Sequence, residues 1–441
     1  MYLGNTTAKI TSQHGLFYKY LIDTFSFDFA KAYLQANEEA IFNIKNIIDT
    51  ENISCDFEFQ DNFVFTNLED EVIKIKNEVE AVNSLGGNAE LVTNVSAPIS
   101  ILSSIKFSNQ ACFNPLKYIM GLCSYIKTTS DHIYENSKVY DVKRSDNFYN
   151  VYTKNNVVSA KYVVIATHYP IINAPGFYFL KMYQETSYVI AIKPNSDLFS
   201  GMYINTKSPI LSLRTAKYNN ERLVLLGGSS HKTGNTQNVD VSYLNLEKVA
   251  KQLYPSCEVL YRWHTQDCIS LDKLPYIGDF SSVMPNVYVA TGFKKWGMTT
   301  SNVASNIICD KIFNKSNPYS ELFLSTRLKP IKNGTEFVNM LKQVGSSLIL
   351  DKFKIPKDEL NSLQNGEGKI VELDNVKIGV YKDMNGKLFA LKPICTHLGC
   401  ELSWNSLDKT WDCPCHGSRF NYDGKSLYDP SIKDIRLLDL T

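Results

Sequence analysis

Near the end of this 441-residue chain, Cys395-Thr396-His397-Leu398-Gly399-Cys400 is followed by Cys413-Pro414-Cys415-His416-Gly417-Ser418. Taking one Cys and one His from each box gives the spacing C-x-H-x15-C-x2-H. Nothing else in the sequence constrains the fold as strongly, because two short loops must converge so that Cys395, His397, Cys413 and His416 face one another. Two metal chemistries use this donor set. A 2Fe-2S cluster with mixed ligation places thiolates on one iron and neutral histidines on the other. A Cys2His2 zinc site arranges the same atoms as a tetrahedron.

Three details favour the cluster. Each loop carries one His and one Cys in place of a Cys pair and a His pair, each loop has a further Cys (Cys400, Cys415), and Gly-Ser follows the last His. The full pattern resembles the Rieske proteins of respiratory cytochrome bc complexes and the Rieske ferredoxins; zinc, or no metal, is the alternative. The resemblance implies thiolate ligands at Cys395 and Cys413, imidazole ligands at His397 and His416, and a Cys400–Cys415 disulfide bracing the loops. Ser418 falls where such proteins place a hydroxyl donor to a cluster sulfur. Phe420 falls where the high-potential members carry a Tyr, so one donor is missing and the reduced cluster is less stabilised.

The rest of the chain bounds the setting. A length of 441 residues accommodates two or three domains. The net charge of +1 gives no basic field for nucleic acid or anionic membrane. No uncharged apolar run reaches the ~18 residues a spanning helix needs. Met1 leads directly into polar Gly4-Asn5-Thr6-Thr7-Ala8-Lys9, without the apolar core of a signal peptide. A cytoplasmic location is therefore expected. Six of the ten cysteines lie outside the boxes without pairing spacing, and read as buried apolar thiols.

Along the chain, apolar residues recur at helical spacing within 1–50 and from about 69 to 82, and a helical stretch runs over 116–126. The period then changes. Segments 133–142, 148–153 and 157–167 are β-branched and aromatic, and 162–167 reads as a strand buried on both faces of a parallel sheet. Further strands are expected at 185–192, 201–205, 209–215 and 222–226, then a helix near 243–253. Val287-Tyr288-Val289-Ala290-Thr291 is another buried strand. Gly292-Phe293-Lys294-Lys295-Trp296-Gly297-Met298-Thr299 follows it and opens a helix running towards Phe313, which presents unpaired N–H groups to an anionic or carbonyl oxygen.

This order resembles the FAD-dependent D-amino-acid oxidase superfamily over almost the whole chain, in particular bacterial FAD oxidoreductases with a C-terminal Rieske domain. The implied fold is α/β: an incomplete Rossmann-like FAD-binding domain with an antiparallel β substrate domain, plus a small all-β Rieske domain. The expected boundaries are an oxidoreductase part at 1–330 with its substrate subdomain at about 180–270, a linker helix at 331–354, and the Rieske domain at 355–441. The resemblance implies FAD contacts from Thr6 and Thr7 over the flavin, from Val139 at the adenine end, from Ala166, and from Gly292, Trp296, Gly297, Met298 and Thr299 at the pyrimidine. It also implies a small-molecule substrate, an amine or amino acid, oxidised at FAD, with electrons leaving through the cluster to an unidentified partner.

The departure from the pattern concerns the nucleotide end. Such flavoproteins open with a strand, a G-x-G-x-x-G turn and a helix, and no G-x-G-x-x-G occurs in this sequence. The expectation is a truncated βαβ front end, weak or absent FAD binding, and, as the second reading, a chain in which only the Rieske electron-transfer module works. Catalytic residues are not legible. Arg214 is a candidate for holding a substrate carboxylate or for a surface salt bridge; His231 reads as structural, and Gln266, Asp267 and Asp272 lie on the approach to the Gly292 loop. A Rieske oxygenase is disfavoured because only 25 residues follow His416, too few for a mononuclear iron domain.

Overall fold

The computed structural model describes residues 3–219, 221–235, 239–327, 362–373 and 376–439. The expected linker helix at 331–354 lies outside the described residues.

The first long helix, Phe27–Thr50, forms because Ala30, Tyr33, Leu34, Asn37, Ala40, Ile41, Ile44 and Ile48 repeat at three- and four-residue intervals and are all buried. Ser26 caps it, its hydroxyl accepting from Phe29 N at 3.1 Å. The shorter helix Tyr18–Thr24 has no cap of its own. The buried carboxylate of Glu78, from helix Glu69–Ser84, serves instead, accepting from Phe17 N and Tyr18 N at 2.6 Å each and from Lys19 N at 3.0 Å. These helices share one core with Gly297–Ile312, through Tyr33, Leu34, Ile75, Val82, Val303 and Ile307.

A nine-stranded sheet carries the other half of this region. Its order is Lys9–Ile10, Ser103–Cys112, Glu58–Thr66, Met202–Asn205, Leu211–Tyr218, Glu221–Lys232, Met182–Lys193 and Glu258–Ser270, with Ala89–Val92 also paired to Ser103–Cys112. Every pairing is antiparallel except Met202–Asn205 against Glu58–Thr66. Five of its strands come from residues 182–270 and four from residues 9–112. Helix Asp240–Leu253 covers one face with Tyr243, Leu246 and Ala250.

Two smaller sheets complete the oxidoreductase region. Tyr276–Asp279, Val287–Thr291 and Val163–Ile165 form one, the last pair parallel. Strand 163–165 corrects the expectation of burial on both faces: it ends the sheet, and Val164 is 45 % exposed. Val139–Ser145, Phe148–Thr153 and Val157–Ala160 make the other; the expected strand start at 133 is overturned, since 133–138 is turn and irregular chain.

Among the described residues, the only regular structure of the C-terminal part is β. Gly368–Leu373, Val376–Lys382 and Leu388–Leu391 form one sheet, and Ser403–Asn405, Thr410–Asp412, Arg419–Asn421 and Ser426–Tyr428 the second. Between them Leu391, Leu402, Trp411, Phe420 and Ile435 pack with Cys395, Cys400 and Cys413. Trp404 packs at a tilt of 56° against the fully buried Trp411, with centroids 4.7 Å apart.

Candidate redox centre and adjoining cavity

The two Cys–His boxes fold as equivalent turns. In the first, Cys395 N donates to Cys400 O at 2.8 Å and Gly399 N to Cys395 O at 2.9 Å; in the second, Cys413 N donates to Ser418 O at 2.8 Å and Gly417 N to Cys413 O at 3.0 Å. Each turn needs a left-handed residue at the same place, supplied by Gly399 (φ 79°) and Gly417 (φ 78°). Cys400 and Cys415 join the turns through a disulfide, so neither is available to a metal, while Cys395 and Cys413 are free and buried. The His397 and His416 rings stand perpendicular, with centroids 5.1 Å apart.

The imidazole hydrogen bonds show which ring nitrogens are left open. His416 Nε2 donates to Phe179 O at 3.0 Å, and His397 Nε2 lies 2.6 Å from Asn173 Oδ1. Both Nδ1 atoms are buried without a hydrogen-bond partner among the described residues. Two orphaned ring nitrogens side by side cost roughly 1–3 kcal/mol each, unless a metal takes their lone pairs. Burial holds both rings neutral, lowering His397 to about 3, with a further push from His416, and His416 to about 4. Two free buried thiols and two neutral imidazoles with open Nδ1 atoms fit a 2Fe-2S cluster with thiolates on one iron and histidines on the other. Ser418 is hydrogen-bonded to Cys395.

The histidine side of the boxes faces inward, against the oxidoreductase region. Gln184 donates its amide to His416 O at 2.8 Å and to Asp429 O at 3.0 Å, and Gln266 donates to Gly417 O at 3.0 Å. Gly417 must remain a glycine here, since a Cβ would sit 2.6 Å from Gln184 Cβ. Tyr169 and Phe179 flank both imidazoles at centroid distances of 6.0 to 6.5 Å. A network centred on the buried Arg419 closes the same seam. Its guanidinium donates to Asp412 Oδ1 at 2.9 Å, Asp408 Oδ2 at 2.5 Å, Thr410 Oγ1 at 2.9 Å and His264 Nε2 at 2.7 Å.

On the far side of this seam lies a cavity of about 1340 Å³. Thr6, Thr7, Ala166, Gly292, Trp296, Gly297 and Met298 line it. Two of the implied FAD residues are elsewhere. Val139 packs beside Val142, Tyr149 and Ile165, and Thr299 is buried with its hydroxyl committed to Thr11 O and His14. His14 also orients Trp296, stacking on it at 4.9 Å with an interplanar angle of 18°. The loop bearing Thr6 and Thr7 is pinned from below: Trp263 Nε1 donates to Asn5 O at 2.9 Å and Arg214 to Thr7 O.

Arg214 corrects both expectations for it. The side chain is buried and its guanidinium is spent on the carbonyls of Thr7, Thr215 and Phe113. His231 is structural, bonded to Tyr188 Oη and Lys232 O. Asp272 forms a two-point ion pair with Arg327. Gln266 and Asp267 do line the cavity. Burial pushes Asp267 up to about 6, against the opposing pull of Lys295. Lys9 was not singled out from the sequence: it lines the cavity, donates to Tyr203 O at 2.7 Å, and is drawn down to about 7 by burial and then by Arg214. Ser187 Oγ, Ser270 Oγ and Gln266 Oε1 are buried in the cavity wall without partners among the described residues. Gly292 (φ 72°) keeps the loop close to Met182 Sδ, which a Cβ would approach to 3.2 Å. A roomy cavity with unpaired polar atoms and a glycine turn feeding the N-terminus of Gly297–Ile312 fits the flavin end of FAD.

Comparison with known proteins agrees with this geometry. Residues 4–311 match the FAD dependent oxidoreductase family (DAO), and residues 354–438 match the Rieske [2Fe-2S] domain. A Rieske 2Fe-2S iron-sulfur protein of Bacillus subtilis, YhfW, is 36% identical over 99% of this chain and 86% of its own length. The iron-sulfur subunit of the cytochrome b6-f complex of Chlorobaculum tepidum is 37% identical over 70 residues, 16% of this chain and 38% of that protein. Among solved structures, glycine oxidase from Geobacillus kaustophilus aligns with a TM-score of 0.62 at 14% identity, over 74% of this chain and 89% of that one. L-Proline dehydrogenase from P. horikoshii aligns at 0.58 and 15% identity, over 67% and 83%. At such identities the structural likeness concerns the fold.

Proposed function

Because the chain belongs to the FAD dependent oxidoreductase family and carries a Rieske domain, we propose that it oxidises a small amine or amino acid in the cavity and passes the electrons to a 2Fe-2S cluster held by Cys395, His397, Cys413 and His416. The observation that carries this reading is the thinness of the wall between the two sites. Gln266 lines the cavity and its amide also bonds the second box at Gly417 O.

When bound, FAD supplies the hydride acceptor. The chain's own residues do the rest. Thr6, Thr7 and Ala166 line one part of the cavity, and Gly292, Trp296, Gly297 and Met298 form the turn into the helix. His14 fixes the Trp296 ring. Asp267 places a carboxyl group in the wall, where an amine would find a partner. Tyr169 fills the space beside the histidines, 1 % exposed, and keeps bulk water from the seam.

A second reading, in which the Rieske module alone is active, draws on the edge strand Val163–Ile165 with its exposed Val164 and on the absence of a G-x-G-x-x-G from the sequence. One experiment separates them. The protein, supplied with FAD and freed of oxygen, is mixed with a panel of amines and amino acids while flavin absorbance and the electron paramagnetic resonance of the cluster are followed. The proposal predicts that one class bleaches the flavin and brings up the cluster signal. Retention of no flavin supports the second reading; a bleached flavin beside an oxidised cluster refutes the transfer step.

A further inference from the structure

The two histidines of the boxes have acceptors of different kinds. His416 Nε2 is bonded to a main-chain oxygen, Phe179 O, which no side-chain substitution removes. His397 Nε2 is bonded to a side chain, Asn173 Oδ1, at 2.6 Å. Both acceptors belong to one stretch of the oxidoreductase region, between strands Val163–Ile165 and Met182–Lys193. That stretch is well fixed. Phe177 N donates to Asn173 O at 2.8 Å, Leu180 N to Phe177 O at 3.0 Å, and Tyr178 Oη to Phe280 O at 3.1 Å. Asn173 is therefore anchored through its own main chain while its carboxamide reaches across the seam.

We propose that Asn173 is a positioning residue for the iron-sulfur centre, fixing the His397 ring and setting its electron donation, so that the oxidoreductase region tunes the reduction potential of the Rieske domain. An acceptor on the outer nitrogen of a ligating imidazole fixes its tautomer and raises its basicity. Greater donation favours the oxidised irons and lowers the potential. The short Asn173 contact makes His397 the adjustable ligand and His416 the constant one. The inference rests on the four-ligand reading and needs neither FAD nor substrate.

The test uses the full chain with its cluster, as wild type, Asn173→Asp and Asn173→Leu. Each is titrated with dithionite under electron paramagnetic resonance, and the nitrogen couplings of the reduced cluster are read by pulsed methods. Asn173→Leu removes the acceptor and should shift the oxidised-to-reduced ratio at a fixed ambient potential about tenfold towards reduced, about 59 mV for one electron. Asn173→Asp puts a carboxylate on the same nitrogen and should move it the other way. Couplings from one histidine should change and those from the other stay. Equal or same-direction shifts in the two variants, or couplings that change on both rings, overturn the inference. Should the Leu variant lose its cluster, an unchanged or raised potential in the Asp variant alone overturns it. Absence of two histidine nitrogens in the wild type would refute the ligand set itself, a separable outcome.

Discussion

Lowering the pH from 7.5 to 5 should destabilise the protein through His14, and the size of the effect follows from its surroundings. The ring is 4 % exposed, bonded to Tyr33 Oη at 2.7 Å and Thr11 O at 2.9 Å, and stacked on Trp296. Burial lowers its pKa from 6.5 to about 3, the Thr11 carbonyl opposing and Lys294 assisting. A base with a depressed folded-state pKa is neutral in the native protein and gains its proton first in the unfolded chain. Its contribution is complete above about pH 6.5 and is lost as pH falls towards 3. At pH 5 the unfolded state is favoured by about 1.5 units, or about 2 kcal/mol at 1.36 kcal/mol per unit. His14→Gln keeps one donor and one acceptor but does not titrate, so other groups cancel in the comparison. Urea unfolding at pH 7.5, 6 and 5, followed by far-ultraviolet circular dichroism, should show the gap between wild type and variant shrinking by about 2 kcal/mol. Parallel stability curves would refute the reasoning.

Phe420 is fully buried with Cys395 and Cys413; Phe420→Tyr should add a hydroxyl donor worth roughly 1 kcal/mol to the reduced cluster, raising the potential by about 40 mV in voltammetry, and an unmoved potential with an intact spectrum would count against it. Arg419→Met leaves Asp408 and Asp412 without their cation and should cost roughly 3–5 kcal/mol, read as earlier thermal loss of the cluster's visible dichroism; a change under about 1 kcal/mol would contradict the network. Gln266→Leu strips the amide from Gly417 O and should slow cluster reduction while leaving flavin bleaching unchanged in stopped flow; equal slowing of both would place Gln266 in substrate binding instead.

The elements read well from sequence were those whose pattern is local. Phe27–Thr50, Glu69–Ser84 and Val287–Thr291 declare themselves by period or by continuous apolar character. Strands Glu58–Thr66, Ser103–Cys112 and Glu258–Ser270 did not, because Gln60, Asp61, Asn62, Ser108, Asn109, Gln110, Arg262 and His264 interrupt the alternation a strand usually shows. Several of these polar residues are bonded inside the fold: the Asn62 amide donates to Gln13 Oε1, and Gln110 Oε1 accepts from Thr11 and Ser12. The cluster boxes were legible because ligand spacing is itself the chemistry. Asn173, Tyr169 and Gln184 were not, since each meets the boxes across more than 200 residues of chain and belongs to no motif. Arg214 misled because a lone arginine in a strand carries no sign of the three carbonyls that surround it.

The proposed 2Fe-2S cluster is held through Cys395, His397, Cys413 and His416. Its most direct test is pulsed electron paramagnetic resonance of the dithionite-reduced protein with iron and sulfide analysis. The claim predicts two irons and two sulfides per chain and two directly coordinated histidine nitrogens. A silent spectrum with one zinc per chain would contradict it.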